Sequence, residues 1–324
     1  MAGSRTLPSE EELLGWFDTL SNWGRWGDDD QIGTLNLIDD AKVAAAAGLV
    51  RDGRRVSLAG VMDPDGGDDL VVDEQGRVVK HSMLQRHMIY TGEGHRRLGR
   101  VRKQIGREWV GFTPHGPSTH VDGLSHMMWD DRMYNGFNAR DVNVVQGAAS
   151  LSVHQVEAGI TTRGVLLDVA AVRGVDWLEP GDGAFPEDLE AAEERQGVRV
   201  GPGDALIVHT GNFRRIAEQG GNESSGASGY TAACLPWLRE RDVAVISSDS
   251  NNDSSPSGYD SPDLTNPVHV VGIVAMGLWL VDNMQVAELT RVCAELERWE
   301  FFLTMAPWRF VGVTASPVHP LAIF

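Results

Sequence analysis

Apolar side chains recur at helical spacing near the start of the chain. One such stripe lies in the segment SEEELLGWFDTLSNW and consists of Leu13, Leu14, Trp16, Phe17 and Leu20. Ser9 precedes this stripe at the position of a helix N-cap. A second short helix is predicted for the segment DDAKVAAAAGLV. The pattern therefore predicts a helical N-terminal extension over residues 1–50.

Short apolar runs alternate with helical segments over the rest of the chain. The runs RGVLLDVAAV and DALIVHTGNF are typical of strands buried on both faces. Strands are also predicted for RRVSLAGVM, VAVISSDS, EFFLTMAPWRF and SPVHPLAIF. Helices are predicted for PEDLEAAEERQG and MQVAELTRVCAELERW, and another begins at Pro267 and leads into a strand. The segments DPDGGDDL and DEQGR are predicted turns around a hairpin. Residues 51–324 are thus predicted to form a single α/β domain with a mixed sheet or open barrel.

The charge of the chain restricts its partners. Its 28 basic and 46 acidic residues give a formal charge of −18, which disfavours nucleic acid and anionic membranes as partners. The longest apolar run, Val268 to Val281, contains His269 and is too short to cross a bilayer.

Cys234 and Cys293 form no CxxC pattern, so two buried thiols are predicted, with one disulfide as the alternative. We therefore expect a cytoplasmic protein.

Four residues able to bind a metal or move a proton crowd the segment TPHGPSTHVDGLSHMMWD. They are His115, His120, Asp122 and His126. On an extended segment, residues two apart point to the same side, so an imidazole and a carboxylate could converge on one divalent ion. Such an ion would acidify water and polarise a carbonyl oxygen, and a further histidine nearby could move protons. The alternative is that these polar residues only line a turn.

The stretch STHVDGLSH resembles the signature HxGTHxDxPxH of the cyclase-like metal-dependent hydrolases, the superfamily of bacterial kynurenine formamidase and isatin hydrolase. Its Thr, second His, Asp and last His correspond to Thr119, His120, Asp122 and His126. Further resemblance runs through WGDDDQIGTLNLI, RMYNGFN, RGVLLDV, GDALIVHTGNF, VISSDS and GVTASPVHPLAIF. The resemblance implies a swivelling β/β/α-type fold, a divalent metal (Mn or Zn, with Mg possible) and a homo-oligomer, a dimer or tetramer.

The resemblance also implies roles for particular residues. His120 and Asp122 would bind the metal, and His126 would be the catalytic acid and base. The first histidine of the signature aligns with Gly116, and His115 stands one residue before that position. His115 would be a metal ligand if the loop bends so that its side chain takes the place of the signature histidine. The family glycine is Ser118 here, and the family proline is Leu124.

Two later residues correspond to the remaining metal ligands of the formamidases. His269 matches a ligand histidine, and we assign it to the metal site. The acidic position corresponds to Asp282 at a slightly different spacing. We interpret Asp282 as a helix cap, with a ligand role as the alternative. One metal is therefore expected.

Several other residues have structural interpretations. Asp168 and Asp249 end strands and are expected to order the turns that follow, and His209 is explained equally by pocket lining and strand packing. Packing is also expected for the tryptophans Trp16, Trp23 and Trp26. After the signature, an apolar wall for a small molecule is predicted from Met127, Trp129, Tyr134 and Phe137.

These observations together predict a metal-dependent hydrolase. It would cleave an amide (C–N) bond, or a cyclic amide or lactone, in a small metabolite. The absence of a GxSxG elbow and of a GxxxxGK[ST] loop disfavours serine and nucleotide chemistry. Two alternatives remain open: a non-catalytic small-molecule-binding protein on the same fold, and a cyclase or dehydratase that uses the same acid–base pocket.

Overall fold

The chain folds into two compact units. The computed structural model describes residues 5–64, 71–72, 78–80, 84–99, 102–220 and 226–324. The first unit comprises Met1–Gly60 with Thr119–Phe324, and the second comprises Val61–Ser118. The predicted α/β class is confirmed, since the first unit has a curled mixed sheet that forms a half-barrel. The division into residues 1–50 and 51–324 stays a prediction.

Helices and strands alternate along most of the described chain. Its helices are α1 (Glu10–Thr19), α2 (Asp40–Ala47), α3 (Gly92–Arg97), α4 (Val169–Arg173), α5 (Pro186–Gln196), α6 (Asn212–Gln219), α7 (Cys234–Glu240), α8 (Pro267–Val274) and α9 (Ala287–Leu296). Its strands are β1 (Arg55–Ser57), β2 (Val71–Val72), β3 (Val78–Lys80), β4 (Leu84–Tyr90), β5 (Arg107–Phe112), β6 (His120–Asp122), β7 (Val142–Asn143), β8 (Gly147–Ala148), β9 (Ile160–Asp168), β10 (Ala205–His209), β11 (Val245–Ser248), β12 (Trp279–Asp282), β13 (Glu300–Met305), β14 (Ala315–Pro317) and β15 (Leu321–Ile323).

The main sheet of the first unit has nine strands in the order β1-β15-β13-β9-β10-β11-β12-β6-β14. Strands β9 to β12 are parallel, and every other pairing is antiparallel. The carboxyl ends of the four parallel strands therefore meet at one edge, where ligand sites form in sheets of this kind. Strand β6 runs antiparallel to β12, so its first residue, His120, stands at the same edge.

The apolar pattern accounts for most of these elements. Helix α8 begins at Pro267 as predicted and is buried along its whole length, as is strand β12 behind it. In helix α1 the Ser9 side chain accepts a hydrogen bond from the backbone N–H of Glu12, which confirms the predicted cap. Leu13 is buried there, but Leu14 is 43% exposed and does not belong to the apolar stripe.

The turn between α8 and β12 anchors the N-terminal segment. Gly277 has φ 61°, and a Cβ on it would lie 2.5 Å from the ring of Tyr134. Its carbonyl accepts a hydrogen bond from the backbone N–H of Thr34. The Tyr134 hydroxyl donates to Asp30, 2.9 Å away. Only glycine fits this close approach at that backbone angle.

The second unit contains two antiparallel strand pairs, β2 with β3 and β4 with β5. The hairpin β4–β5 and helix α3 were not predicted from the pattern. The predicted turns DPDGGDDL and DEQGR fall largely outside the described residues. Within the described ranges, no helix combines the length and apolar character that crossing a bilayer requires.

Both cysteines are free and buried, as predicted. Burial raises the pKa of the Cys293 thiol to about 12, and it raises that of Cys234 further still. Neither thiol is therefore a ready nucleophile at neutral pH.

Candidate metal centre

Strand β6, next to the last strand of the main sheet, holds two of the predicted ligands. It is buried and lies between β12 and β14. His120 is paired with Asp282 of β12 and Asp122 with Leu280, so His120 and Asp122 share a side of the strand. The predicted convergence of His120 and Asp122 is present, with His120 Nε2 3.6 Å from Asp122 Oδ1.

Asp122, His269 and Asp282 converge into one buried cluster. His269 Nε2 lies 3.4 Å from an oxygen of Asp122 and 3.4 Å from an oxygen of Asp282. One ligand atom from each of the three residues lies within 4.8 Å of the other two. His120 Nε2 is 3.9 Å from the same Asp282 oxygen and borders the cluster. We call these four residues the metal cluster.

The donor set fits a divalent cation. Two carboxylates buried side by side repel each other unless a positive charge compensates them. Burial lowers the pKa of His269, but the charge of Asp282 and hydrogen bonds with Asp122, Asp253 and Asp282 outweigh it and raise this pKa well above its usual value. Imidazole nitrogen and carboxylate oxygen are ligands that suit Zn and Mn, and to a lesser degree Mg. The cluster could therefore hold such an ion.

Asp253 orients the His269 ring. His269 Nδ1 donates to Asp253 Oδ2 at 2.6 Å, and the same carboxylate accepts the backbone N–H groups of Val268 and His269. Burial raises the pKa of the Asp253 carboxyl, against the opposing effect of His269. Because Nδ1 carries the proton in this bond, Nε2 is left to face Asp122 and Asp282.

Asn252 orients Asp282 in a similar way. Its Nδ2 donates to Asp282 Oδ1 at 2.6 Å and to the Val281 carbonyl at 3.0 Å. The other oxygen of Asp282 is the one that faces His269 and His120. Asn252 and Asp253 lie in the polar loop after β11, and neither was predicted to belong to the site.

His126 borders the cluster without joining the converging ligand atoms. Its ring centroid is 6.2 Å from that of His269, and the two planes are inclined by 70°. The residue is half-buried, whereas His269 is buried. This position beside the ligands suits the predicted part in proton transfer, which stays a prediction.

Asp282 is not a helix cap, so that interpretation is wrong. Helix α9 begins at Ala287, and its N-cap is Val286. Asp282 is the last residue of β12 and is buried beside His269. The metal role of His269 stays a prediction that this geometry supports. His115 belongs to the second unit, four residues before the first unit resumes at Thr119, and its ligand role also stays a prediction.

Other polar residues of the same edge are engaged in structural contacts. Asp168 caps α4 by accepting from the N–H of Ala171, and it pairs with His209 Nδ1 at 2.9 Å. Asp249 accepts both the N–H and the hydroxyl of Thr210, at 2.8 Å each. Asp168 thus orders the turn that follows it, as expected, whereas the Asp249 carboxylate orders Thr210, which follows the neighbouring strand β10.

The predicted apolar wall is only partly present. Tyr134 is fully buried against Gly277, so its assignment to a pocket wall is wrong. Trp129 stacks on Phe17 with ring centroids 4.9 Å apart, and Met127 and Phe137 pack against the core while partly buried. Trp16 packs against the core, and Trp23 donates from Nε1 to the Val274 carbonyl at the end of α8.

Comparison with known proteins gives matches along nearly the whole chain. The Cyclase family model matches residues 62–252. A solved structure described as a novel cyclase is 27% identical, covers 95% of this chain and 99% of its own, and has a TM-score of 0.83. No curated protein matches the chain.

Two isatin hydrolases share the fold. Isatin hydrolase A from Ralstonia solanacearum is 23% identical, covers 86% of this chain and 95% of its own, and has a TM-score of 0.58. Isatin hydrolase A from Labrenzia aggregata, bound to benzyl benzoate, is 18% identical, covers 86% of this chain and 94% of its own, and has a TM-score of 0.56.

Proposed function

This chain belongs to the cyclase family, and on that premise we propose that it is a metal-dependent hydrolase. Its substrate would be a small metabolite with an amide, cyclic amide or lactone bond. The observation that carries the proposal is the buried convergence of Asp122, His269 and Asp282, with His120 beside them. The isatin hydrolases are consistent with the proposal through their shared fold alone.

The metal cluster would hold one divalent ion. When bound, such an ion acidifies water and polarises a carbonyl oxygen. Asp253 keeps a proton on His269 Nδ1, and Asn252 holds one oxygen of Asp282, so the ligand atoms are oriented before an ion arrives. Burial of the cluster excludes bulk water and strengthens its electrostatic interactions.

His126 would move the proton. An imidazole has an ordinary pKa near 6.5, so it can accept and donate a proton near neutral pH. In the proposed reaction it takes a proton from the attacking water and passes it to the leaving nitrogen or oxygen. Its half-buried position, with its ring centroid 6.2 Å from that of His269, supports this assignment.

A cyclase or dehydratase is the second candidate, because the family and a similar solved structure are both described as cyclases. The same acid–base residue would then drive ring closure with loss of water. Isotope labelling separates the two reactions. A hydrolase reacting in H₂¹⁸O places one labelled oxygen in its product, whereas a dehydrating ring closure places none.

The first experiment is elemental analysis of the purified protein, followed by assays on N-formyl amides, cyclic amides and lactones with added Mn, Zn or Mg. We expect bound metal and turnover of one class. The variant Asp282→Asn should lose both, while Asp263→Asn, which changes an exposed carboxylate, should keep both. Absence of metal and of any turnover after metal addition would favour the non-catalytic binding protein.

A further inference from the structure

A cavity of about 330 Å³ lies beside the amino end of β9, within the first unit. Ligand pockets in proteins have volumes of about 300–1,000 Å³, and at about 30 Å³ for each water this one corresponds to roughly eleven waters. Six of its eleven lining residues are aliphatic, and they come from three separate segments: Ile32, Leu35, Ile38, Val43, Val156 and Ala158. The cavity therefore has the size and the apolar lining of a small-molecule site.

Hydrogen bonds and core packing hold the wall of this cavity in place. The Asp30 carboxylate accepts the backbone N–H of Ile32 at 3.3 Å, and the Ile32 carbonyl accepts the indole N–H of Trp279 at 2.7 Å. Leu35 and Val156 are only 8% and 5% exposed, so both are anchored in the core. A ligand would therefore meet a wall that is already ordered, which lowers the entropic cost of binding.

The charged side chains that line the cavity are both acidic. They are Asp40 and Glu157, and none of the eleven lining residues is basic. Lys42, the basic residue of α2, binds the buried carboxylate of Asp204 instead. Glu157 is paired with Arg309, whereas Asp40 is exposed and has no ion pair within the described ranges. A positive charge is therefore the one that complements this cavity.

We propose that this cavity binds a small organic cation that has an ammonium group on an aliphatic body. The body would pack against the six aliphatic side chains, and the ammonium would donate to the carboxylate of Asp40 at the rim.

The proposed cation site is separate from the metal cluster. Thr161, which lines the cavity, is the second residue of β9, and Asp168 is the last. Seven steps of about 3.3 Å place these two residues roughly 23 Å apart. The metal cluster lies at the edge of the sheet where Asp168 stands, so the cavity lies at the opposite edge. This inference therefore does not depend on the proposed chemistry.

Methyl NMR on the full chain, labelled at the isoleucine δ1 methyl groups, tests the proposal with hexylammonium chloride at neutral pH. We expect saturable shifts of the Ile32 and Ile38 methyl signals with a dissociation constant of about 0.1–10 mM, a usual range for so small a ligand. The signals of Ile207 and Ile246, which are buried in β10 and β11, should stay in place.

Two uncharged or oppositely charged analogues test the sign of the ligand charge. Hexan-1-ol should bind more weakly than hexylammonium, and hexanoate should bind most weakly, because the three ligands share one aliphatic body. Unshifted Ile32 and Ile38 signals, or hexanoate binding as tightly as hexylammonium, would overturn the proposal.

Asp40→Asn removes the carboxylate that would recognise the ammonium. It should raise the dissociation constant of hexylammonium about 2–5-fold, the scale of an exposed charge pair, and leave that of hexan-1-ol unchanged. Asp18→Asn changes an exposed carboxylate of α1 that does not line the cavity and should bind both ligands as wild type does. Equal weakening of hexylammonium and hexan-1-ol by Asp40→Asn would contradict recognition of the charge and overturn the proposal.

Val43→Phe tests the location by adding a ring to the cavity wall. It should abolish binding of hexylammonium and of hexan-1-ol, while circular dichroism matches wild type. Binding equal to that of the wild type would place the site elsewhere. A second copy of the chain is the other possible occupant of an apolar cavity. Shifts of the Ile32 and Ile38 signals on dilution of the protein without ligand would show that occupant and overturn the proposal.

Discussion

His269 and Asp253 form a buried pair in which the imidazole Nδ1 donates to the carboxylate at 2.6 Å. The same carboxylate caps the first turn of α8, which carries His269. One acidic side chain therefore sets the position of the helix and the orientation of the ring. The Nε2 nitrogen of that ring faces Asp122 and Asp282 as a result.

Asp253→Asn should weaken metal binding about 10–100-fold, because a neutral amide has one acceptor oxygen where the carboxylate has two, and it holds the His269 ring less strongly. Titration calorimetry with Mn and Zn measures this change. The exposed Asp263→Asn is the matched control and should bind metal as wild type does. Equal affinities for all three proteins would show that Asp253 only caps the helix.

His120→Ala and His126→Ala should separate binding from turnover. The first variant removes a nitrogen 3.6 Å from Asp122 and 3.9 Å from Asp282, so we expect it to lose metal. The second should retain metal and lose about 10²–10⁴-fold in kcat, the usual contribution of a general acid or base. Elemental analysis measures the bound metal of each variant, and steady-state kinetics on the same preparations measures kcat. Full activity in both variants would place the site elsewhere.

Gly277→Ala should destabilise the first unit more than Gly174→Ala. Both glycines have positive φ, 61° and 68°, so alanine costs about 1–2 kcal/mol of backbone energy at each. Only at Gly277 would the new Cβ also meet the Tyr134 ring, 2.5 Å away, which adds about 1–3 kcal/mol. Urea unfolding measures the difference. Equal free energies of unfolding in the two variants would mean that the ring moves aside freely.

His209→Gln should flatten the pH dependence of stability. Burial lowers the pKa of His209, but the hydrogen bond to Asp168 and the charges of Asp249 and Asp168 outweigh burial and the charge of Arg214, so its pKa is raised above 6.5. A raised folded-state pKa stabilises the fold fully below about 6.5, and this contribution is lost as pH rises through the folded value.

The wild type should therefore exceed His209→Gln by about 1.5 kcal/mol at pH 6, and the difference should shrink towards pH 9. Urea unfolding at a series of pH values gives both curves. A difference that stays constant across this range would show that the imidazole contributes only packing.

The local pattern of apolar and helix-capping residues predicted much of the fold. The cap at Ser9, the start of α8 at Pro267 and the buried strands before Asp168 and Asp282 follow from residues that are neighbours along the chain. The motif spacing also predicted that His120 and Asp122 share one side of a strand. These features depend on periodicity and capping, which a sequence displays directly.

The rest of the site depends on tertiary pairing. Asp282 looked like a cap because a helical pattern follows it, but its role arises from the antiparallel pairing of β12 with β6. Asp253 lies in a polar loop whose composition suits any turn, and only the packing of α8 brings it to His269. A polar pair next to the end of a buried strand was the signal that could have identified Asn252 and Asp253.

Strand β6 pairs with two strands, β12 and β14, that are both synthesised long after it. The signature residues are translated early, yet their strand is flanked on one side by residues 279–282 and on the other by residues 315–317. A nascent chain that has emerged only as far as residue 252 holds the motif without Asp253, His269 or Asp282. The proposed ion site is then complete only late in synthesis, after the ribosome has passed those codons. A premature stop before residue 315 would leave the motif strand with a bare edge.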